Sequence, residues 1–164
     1  MGVTVRAANQ SEVERVVSIW KEFMNDPSAI DEPIPTSEEN CKKQAQLVEE
    51  LVKEDPRQVM VAEEGGELVG YMLYRKDQKS ALELKHKMSY IYDLYVRPGF
   101  RRRGVGRTLL QACLNDLRTA GPRQVRLNVW TKNESATRLY RRMGFAEHLL
   151  VMRAEVGGRG PAEE

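Results

Sequence analysis

A glycine-spaced basic loop set directly before a helix can hold an anion. The stretch Val96-Arg97-Pro98-Gly99-Phe100-Arg101-Arg102-Arg103-Gly104-Val105-Gly106-Arg107 has that form. Gly104 and Gly106 lack Cβ atoms, so the backbone can bend tightly and bring successive N–H groups close to a phosphate at the positive end of a helix dipole. The flanking arginines add charge at the same place. Two familiar phosphate motifs fail on this loop. Gly99 and Gly104 have the spacing of a P-loop, but Val105 and Gly106 stand where Lys and Ser or Thr are needed. Gly104 and Gly106 could open a dinucleotide fingerprint, yet Leu109 replaces its third glycine, and the preceding strand comes too late in the chain to begin a βαβ unit.

Other residues able to do chemistry are scattered. Asp93 and Glu83 are carboxylates near the strand before the loop, and either would need a raised pKa or an intervening water to act as a base near neutral pH. Tyr140 lies on an apolar stripe with Ala136, Leu139 and Met143, a pattern that core tyrosines share. Asn133 has the position of a helix N-cap. Cys41 and Cys113 have no metal-ligand spacing and fall within predicted helices, so we read them as reduced, semi-buried thiols, and Cys113 lacks a matched base for nucleophilic work. Between Glu22 and Asn40 six carboxylates occur without a lysine or arginine, which suggests an acidic wall attractive to a cationic amine or, equally, ordinary helix-end charges.

The elements that must position these groups fit one domain. A chain of 164 residues can bury a substantial core, and 41% hydrophobic with 30% charged residues excludes a disordered or fibrous protein. The net charge of +2 gives no global case for nucleic acid, so a nucleic-acid role for Arg97, Arg101, Arg102, Arg103 and Arg107 would rest on local clustering alone. The N-terminus has no signal-peptide core, Arg6 spoils a myristoylation pattern, and no run approaches membrane-spanning length; a cytoplasmic protein without a membrane partner is expected.

Alternation predicts a strand over 3–6, and a Ser11–Glu14 capping box then starts a helix with Val13, Val16, Val17, Trp20 and Phe23 inward. Prolines break 25–35 before a second helix, capped by Thr36 or Ser37 and running to about Lys53. Residues 58–63 and 68–75 read as a hairpin around Gly65-Gly66, and Tyr90 to Val96 as a β-rich strand. A helix over about 105–119, a strand over 124–130, a short helix after Asn133 and one or two closing strands over 145–154 complete the domain, taken as residues 1–156. The Gly-rich tail 157–164 is expected to be flexible.

With the elements in place, the RRRGVG loop, the preceding DLYVRPGF and the downstream NESATRLYRRMGF together resemble the GCN5-related N-acetyltransferase (GNAT) superfamily, over about residues 90–145. The resemblance implies an α/β (α+β) fold: a mixed central sheet of six to seven strands flanked by about four helices, in the order β-α-α-β-β-β-α-β-α-β. It implies that the loop, with Arg101, Arg102, Arg103, Gly104, Val105, Gly106 and Arg107, holds the pyrophosphate of acetyl-CoA. A bulged strand end at Leu94, Tyr95 and Val96 would pair with pantetheine and polarise the thioester, and Asn133 would contact the cofactor as well as cap its helix. Tyr140 takes the place of the tyrosine that protonates the departing thiolate. Asp93 is the candidate base, and no metal is implied. The implied reaction is direct acetyl transfer to a primary amine, on a protein lysine or N-terminus, a polyamine or another small amine, by a protein that is a possible homodimer. The polyamine branch usually has a glutamate where Tyr92 stands, which weakens that assignment; Tyr92 would instead line the acceptor pocket or pack across strands. A catalytically silent acyl-CoA sensor of the same fold is the alternative.

Overall fold

Asn9 opens the helical part of the chain. Its side chain accepts a hydrogen bond from the Ser11 N–H while the Glu12 carboxylate accepts from the Asn9 N–H, so the capping box is Asn9–Glu12 and not the expected Ser11–Glu14. Arg6 explains the preference, because its guanidinium also holds Glu12 at 2.6 Å and fixes the carboxylate where the cap needs it. In this computed structural model, which describes residues 2–158, one helical turn leads into α1 (Val13–Met24), and Ser37 then caps α2 (Glu38–Glu54) through the Asn40 N–H.

Five strands form one sheet in sequence order: β1 (Thr4–Ala7), β2 (Val59–Glu64), β3 (Glu67–Arg75), β4 (Met88–Val96) and β5 (Gln124–Leu127). Neighbours are antiparallel up to β4, and β5 runs parallel to β4 because α3 (Val105–Thr119) crosses between them. The β2–β3 hairpin turns at Gly65-Gly66 as the sequence predicts. Leu68 to Tyr74 is buried without interruption, the mark of a strand covered on both faces. Val16, Leu51, Tyr71 and Leu73 pack under α1 and α2, whereas Met72, Tyr74, Leu109, Leu110 and Cys113 pack under α3 and the short α4 (Glu134–Arg142). Each such side chain contributes about 1.5–3 kcal/mol on full burial.

The expected closing strands are absent among the described residues, so the sheet has five strands and not six to seven. Phe145 turns back on α4, its N–H bonded to the Tyr140 carbonyl and its ring tilted against Tyr140. Beyond it the chain is held by the surface pairs Arg141–Glu147 and Arg153–Glu32, and Leu149, Leu150, Val151 and Met152 are 76–83% exposed. These residues have strand composition but no ladder partner among the described residues, and β-propensity describes a side chain's fit to a half-buried pleat without supplying the neighbour. Of the tail, residues 159–164 lie outside the described part of the chain.

Candidate active site

The site begins where the sheet comes apart. On its β3 side β4 pairs through to Val96, but on its β5 side the ladder stops at Ile91–Leu127. The cause is a bulge: Leu73 faces Asp93 and Tyr74 faces Ile91, leaving Tyr92 as the extra residue, and a bulge bends and twists its strand. Leu94, Tyr95 and Val96 therefore present to the cleft an edge without a ladder partner among the described residues. Residues 128–130, expected as strand, fall outside β5 for the same reason. The cleft between the parted strands is lined by Phe23 and Ala29 from one side, Tyr92 and Leu94 from β4, and Asn133 and Tyr140 from the other.

Gly70 sets the closeness of β3 to this strand end, and sequence reasoning missed it. A Cβ there would lie 2.8 Å from the Tyr95 carbonyl oxygen, so any side chain would push the β4 end aside. Nothing in the local pattern of β3 distinguishes that glycine.

The loop before α3 is a cradle of donors. Arg102 (φ 61) and Gly104 (φ 78) both take left-handed backbone, which costs a non-glycine residue about 1–2 kcal/mol and curls the chain so that its N–H groups converge. Among the described residues the backbone N–H groups of 102–107 reach no protein acceptor; the first one satisfied is that of Thr108, on the Gly104 carbonyl. No side chain caps α3. A helix start with this many unanswered donors fits a diphosphate. Val105 is buried, and a Cβ added at Gly106 would lie 3.4 Å from the Leu139 side chain of α4.

The arginines divide into two groups. Arg97 is paired to Glu22 and Glu67, Arg101 to Asp26, and Arg103 to Glu64. Among the described residues Arg102 and Arg107 have no ion pair and remain available to a ligand. Two of these pairs, with Arg153–Glu32 and Lys43–Glu39, engage four of the six carboxylates over 22–40: Glu22, Asp26, Glu32 and Glu39.

Tyr140 faces the cleft with no side-chain hydrogen-bond partner among the described residues, and burial, then the nearby Asp93 and Cys113, push its phenol pKa up. It stays protonated at neutral pH. Asn133 caps α4 through the Ala136 N–H while lining the cleft, so both of its sequence readings are compatible with the geometry. Cys113, expected as semi-buried, is fully enclosed with its thiol pKa raised by burial; it has no access to a substrate.

The bulge also turns Asp93 toward α2. Enclosure pushes its pKa up to about 6, and hydrogen bonds donated by Tyr71 Oη and Gln44 Nε2, each 3.0 Å from Oδ2, oppose that rise. A carboxyl raised to this value is protonated below about pH 6 and ionised above it. Gln44 lies 49 residues away in sequence, and no local signal connects it to Asp93. Glu83 is exposed in the 76–87 connection. Tyr92 lines the cleft with its hydroxyl held between Arg75 and Gln78.

With this geometry in view, residues 16–145 match the model of the acetyltransferase (GNAT) family. The chain belongs to that family. A relative, an uncharacterized N-acetyltransferase of Methanocaldococcus jannaschii, is 33% identical over 62% of the chain and 44% of its own length. The chain spans less than two thirds of the length of the first curated relatives it matches. Among solved structures, a ribosomal-protein-alanine N-acetyltransferase from Brucella melitensis superposes with a TM-score of 0.69 at 24% identity, covering 88% of this chain and 85% of that one. The aminoglycoside acetyltransferase AAC(6')-Iy, in complex with a CoA bisubstrate analogue, does so with 0.67 at 17%, covering 95% and 100%. At these identities the likeness is one of fold. No described helix is long and apolar enough to cross a membrane, and no group of three or more metal-ligating side chains occurs among the described residues.

Proposed function

We propose that this GNAT chain is an N-acetyltransferase that passes the acetyl group of acetyl-CoA directly to a primary amine within a ternary complex. The observation that carries this reading is the run of unanswered N–H donors over 102–107 beside an unpaired β4 edge. The cradle and the free Arg102 and Arg107 would hold the diphosphate, and the Leu94–Val96 edge would receive the pantetheine amides and polarise the thioester carbonyl. Asp93, ionised above about pH 6, would take the proton of the incoming ammonium through water, since it is not on the cleft wall. The amine nitrogen then bonds to the carbonyl carbon, the C–S bond breaks, the Tyr140 hydroxyl gives its proton to sulfur, and the second proton leaving the nitrogen restores the phenol. Cys113 is too enclosed for a covalent acyl intermediate.

The acceptor is a protein lysine or N-terminus, a polyamine or another small amine. With the acidic wall largely paired, its selection falls to the cleft surface of Phe23, Ala29, Tyr92 and Trp130. The test is incubation with labelled acetyl-CoA and a mixture of amino acids, polyamines and peptides, reading label by mass spectrometry and CoA release in parallel. Transfer to an amine with matching CoA release is expected. Saturable CoA binding without turnover on any amine would make the domain an acyl-CoA sensor, and salt-sensitive nucleic-acid binding not displaced by CoA would overturn both.

A further inference from the structure

Arg101 is the first residue of the cradle, yet its side chain points away from it and toward the acceptor side. Its Nε donates to the Val96 carbonyl at 2.8 Å, Nη2 to Asp26 Oδ2 at 2.6 Å and Nη1 to Ser28 Oγ at 3.3 Å, so all three guanidinium nitrogens are engaged. The group lies over the Tyr95 ring, 5.2 Å from its centroid; that ring stacks on Phe23, and its hydroxyl donates to the same Asp26 oxygen. Asp26 in turn builds the segment that follows α1. Its other carboxylate oxygen accepts from the Ser28 N–H and hydroxyl, and its carbonyl accepts from the N–H groups of Ala29 and Ile30. Phe23 and Ala29, at the two ends of this construction, line the cleft.

We propose that Arg101 and Asp26 form a brace through which ligand in the α3 cradle fixes the 23–30 segment, so that donor binding shapes the acceptor side of the cleft. The inference rests on the acetyl-CoA reading above. The pair has the burial to transmit position: the Asp26 side chain is 11% exposed and that of Arg101 34%, unlike the freely solvated pairs elsewhere on the surface. It also has the lever, because Arg102, next in sequence, is in the left-handed conformation that aims the cradle, and any adjustment there moves the root of the Arg101 side chain. Arg97, bonded twice to Glu22, ties the same strand end to the last turn of α1. Arg101 and Asp26 are thus positioning residues, and neither is a phosphate ligand through its side chain.

Hydrogen–deuterium exchange of the full chain with and without CoA tests this. In the wild type CoA should slow exchange over both 102–108 and 23–30. Asp26→Asn should keep CoA affinity within about threefold by calorimetry and keep the protection of 102–108, while the CoA-induced protection of 23–30 disappears. The reading is the change on adding CoA, so a general loosening of the variant does not imitate it. Arg101→Lys, which retains charge but not the fork, should also lose the protection of 23–30. Wild-type protection confined to 102–108, protection of 23–30 that survives Asp26→Asn, or loss of CoA binding in that variant would each overturn the brace. Absence of CoA binding by the wild type would instead remove the donor-site reading on which the brace stands.

Discussion

The two faces of the sheet carry opposite chemistry. Under α3 and α4 lie apolar side chains, the enclosed Cys113, an uncapped helix start and a protonated phenol, Tyr140. Under α1 and α2 the β4 strand end meets a hydrogen-bonded network: Asp93 with Tyr71 and Gln44, and Asp26 with Tyr95 and Arg101. On the proposed reading, one face would supply donors for an anion and a proton to give, and the other a base and the wall against which an acceptor would sit. The bulge at Tyr92 lies between them: past it the Leu94–Val96 edge is released from β5, and Asp93 beside it bonds Gln44 of α2. On the proposed reading Asp93 would remove a proton and Tyr140 would return one, from opposite faces but near enough that the Asp93 charge helps to hold the Tyr140 phenol protonated.

The largest expected effect breaks the donor side alone. Gly104→Asp places a carboxylate where the diphosphate would sit, and CoA affinity measured by calorimetry should fall by more than about 10²-fold. Its Cβ meets nothing within 4 Å, so the fold should survive, with only the cost of a left-handed residue. Retained affinity would remove the cradle from the donor site. Next, Tyr140→Phe should lower kcat by about 10²-fold with little change in CoA affinity, because it deletes a proton donor and leaves the packing against Phe145. Equal turnover would make Tyr140 a core residue only.

The other face is probed by pH. Because enclosure raises the Asp93 pKa to about 6, the carboxylate that accepts a proton is populated above that value and lost below it. Wild-type kcat/KM should therefore rise as pH climbs through about 6. Asp93→Asn should lower the rate at neutral pH by about 30-fold, less than a base in direct contact would, and should remove that acid limb from the profile. A limb that persists in the variant belongs to another group.

The donor face was far more legible than the acceptor face. Gly104, Gly106, Asn133 and Tyr140 lie within two short contiguous motifs, and the Ser37 and Asn133 caps and the Gly65-Gly66 turn are local events, whereas the first cap moved to Asn9 under the pull of Arg6 on Glu12. Gln44 reaching Asp93, Arg101 reaching Asp26 and Gly70 admitting Tyr95 are contacts across 49, 75 and 25 positions, which periodicity does not encode. The two readings of the carboxylates over 22–40 stay open in the sequence for the same reason, since Arg97, Arg101 and Arg153, which pair with Glu22, Asp26 and Glu32, come from remote parts of the chain. The closing strands failed differently. Their composition was right, but pairing is a property of two segments, and Phe145 folding onto Tyr140 directs the chain elsewhere.

The smallest effect separates the arginines within the loop itself. Arg103 holds Glu64 through two contacts, 2.7 and 3.3 Å, and lies over the Phe100 ring, so its charge is already answered by protein. Exposed pairs of this kind contribute roughly 0–1 kcal/mol, and Arg103→Ala should change CoA affinity by less than about twofold. Arg107→Ala, which removes an unpaired cation beside the cradle, should weaken CoA by about tenfold, with a loss that shrinks as salt is added. Calorimetry at two ionic strengths measures both. Equal losses would mean that the loop attracts its ligand by total charge; unequal losses of the stated order would mean that the pattern of internal ion pairs decides which arginines remain for the ligand.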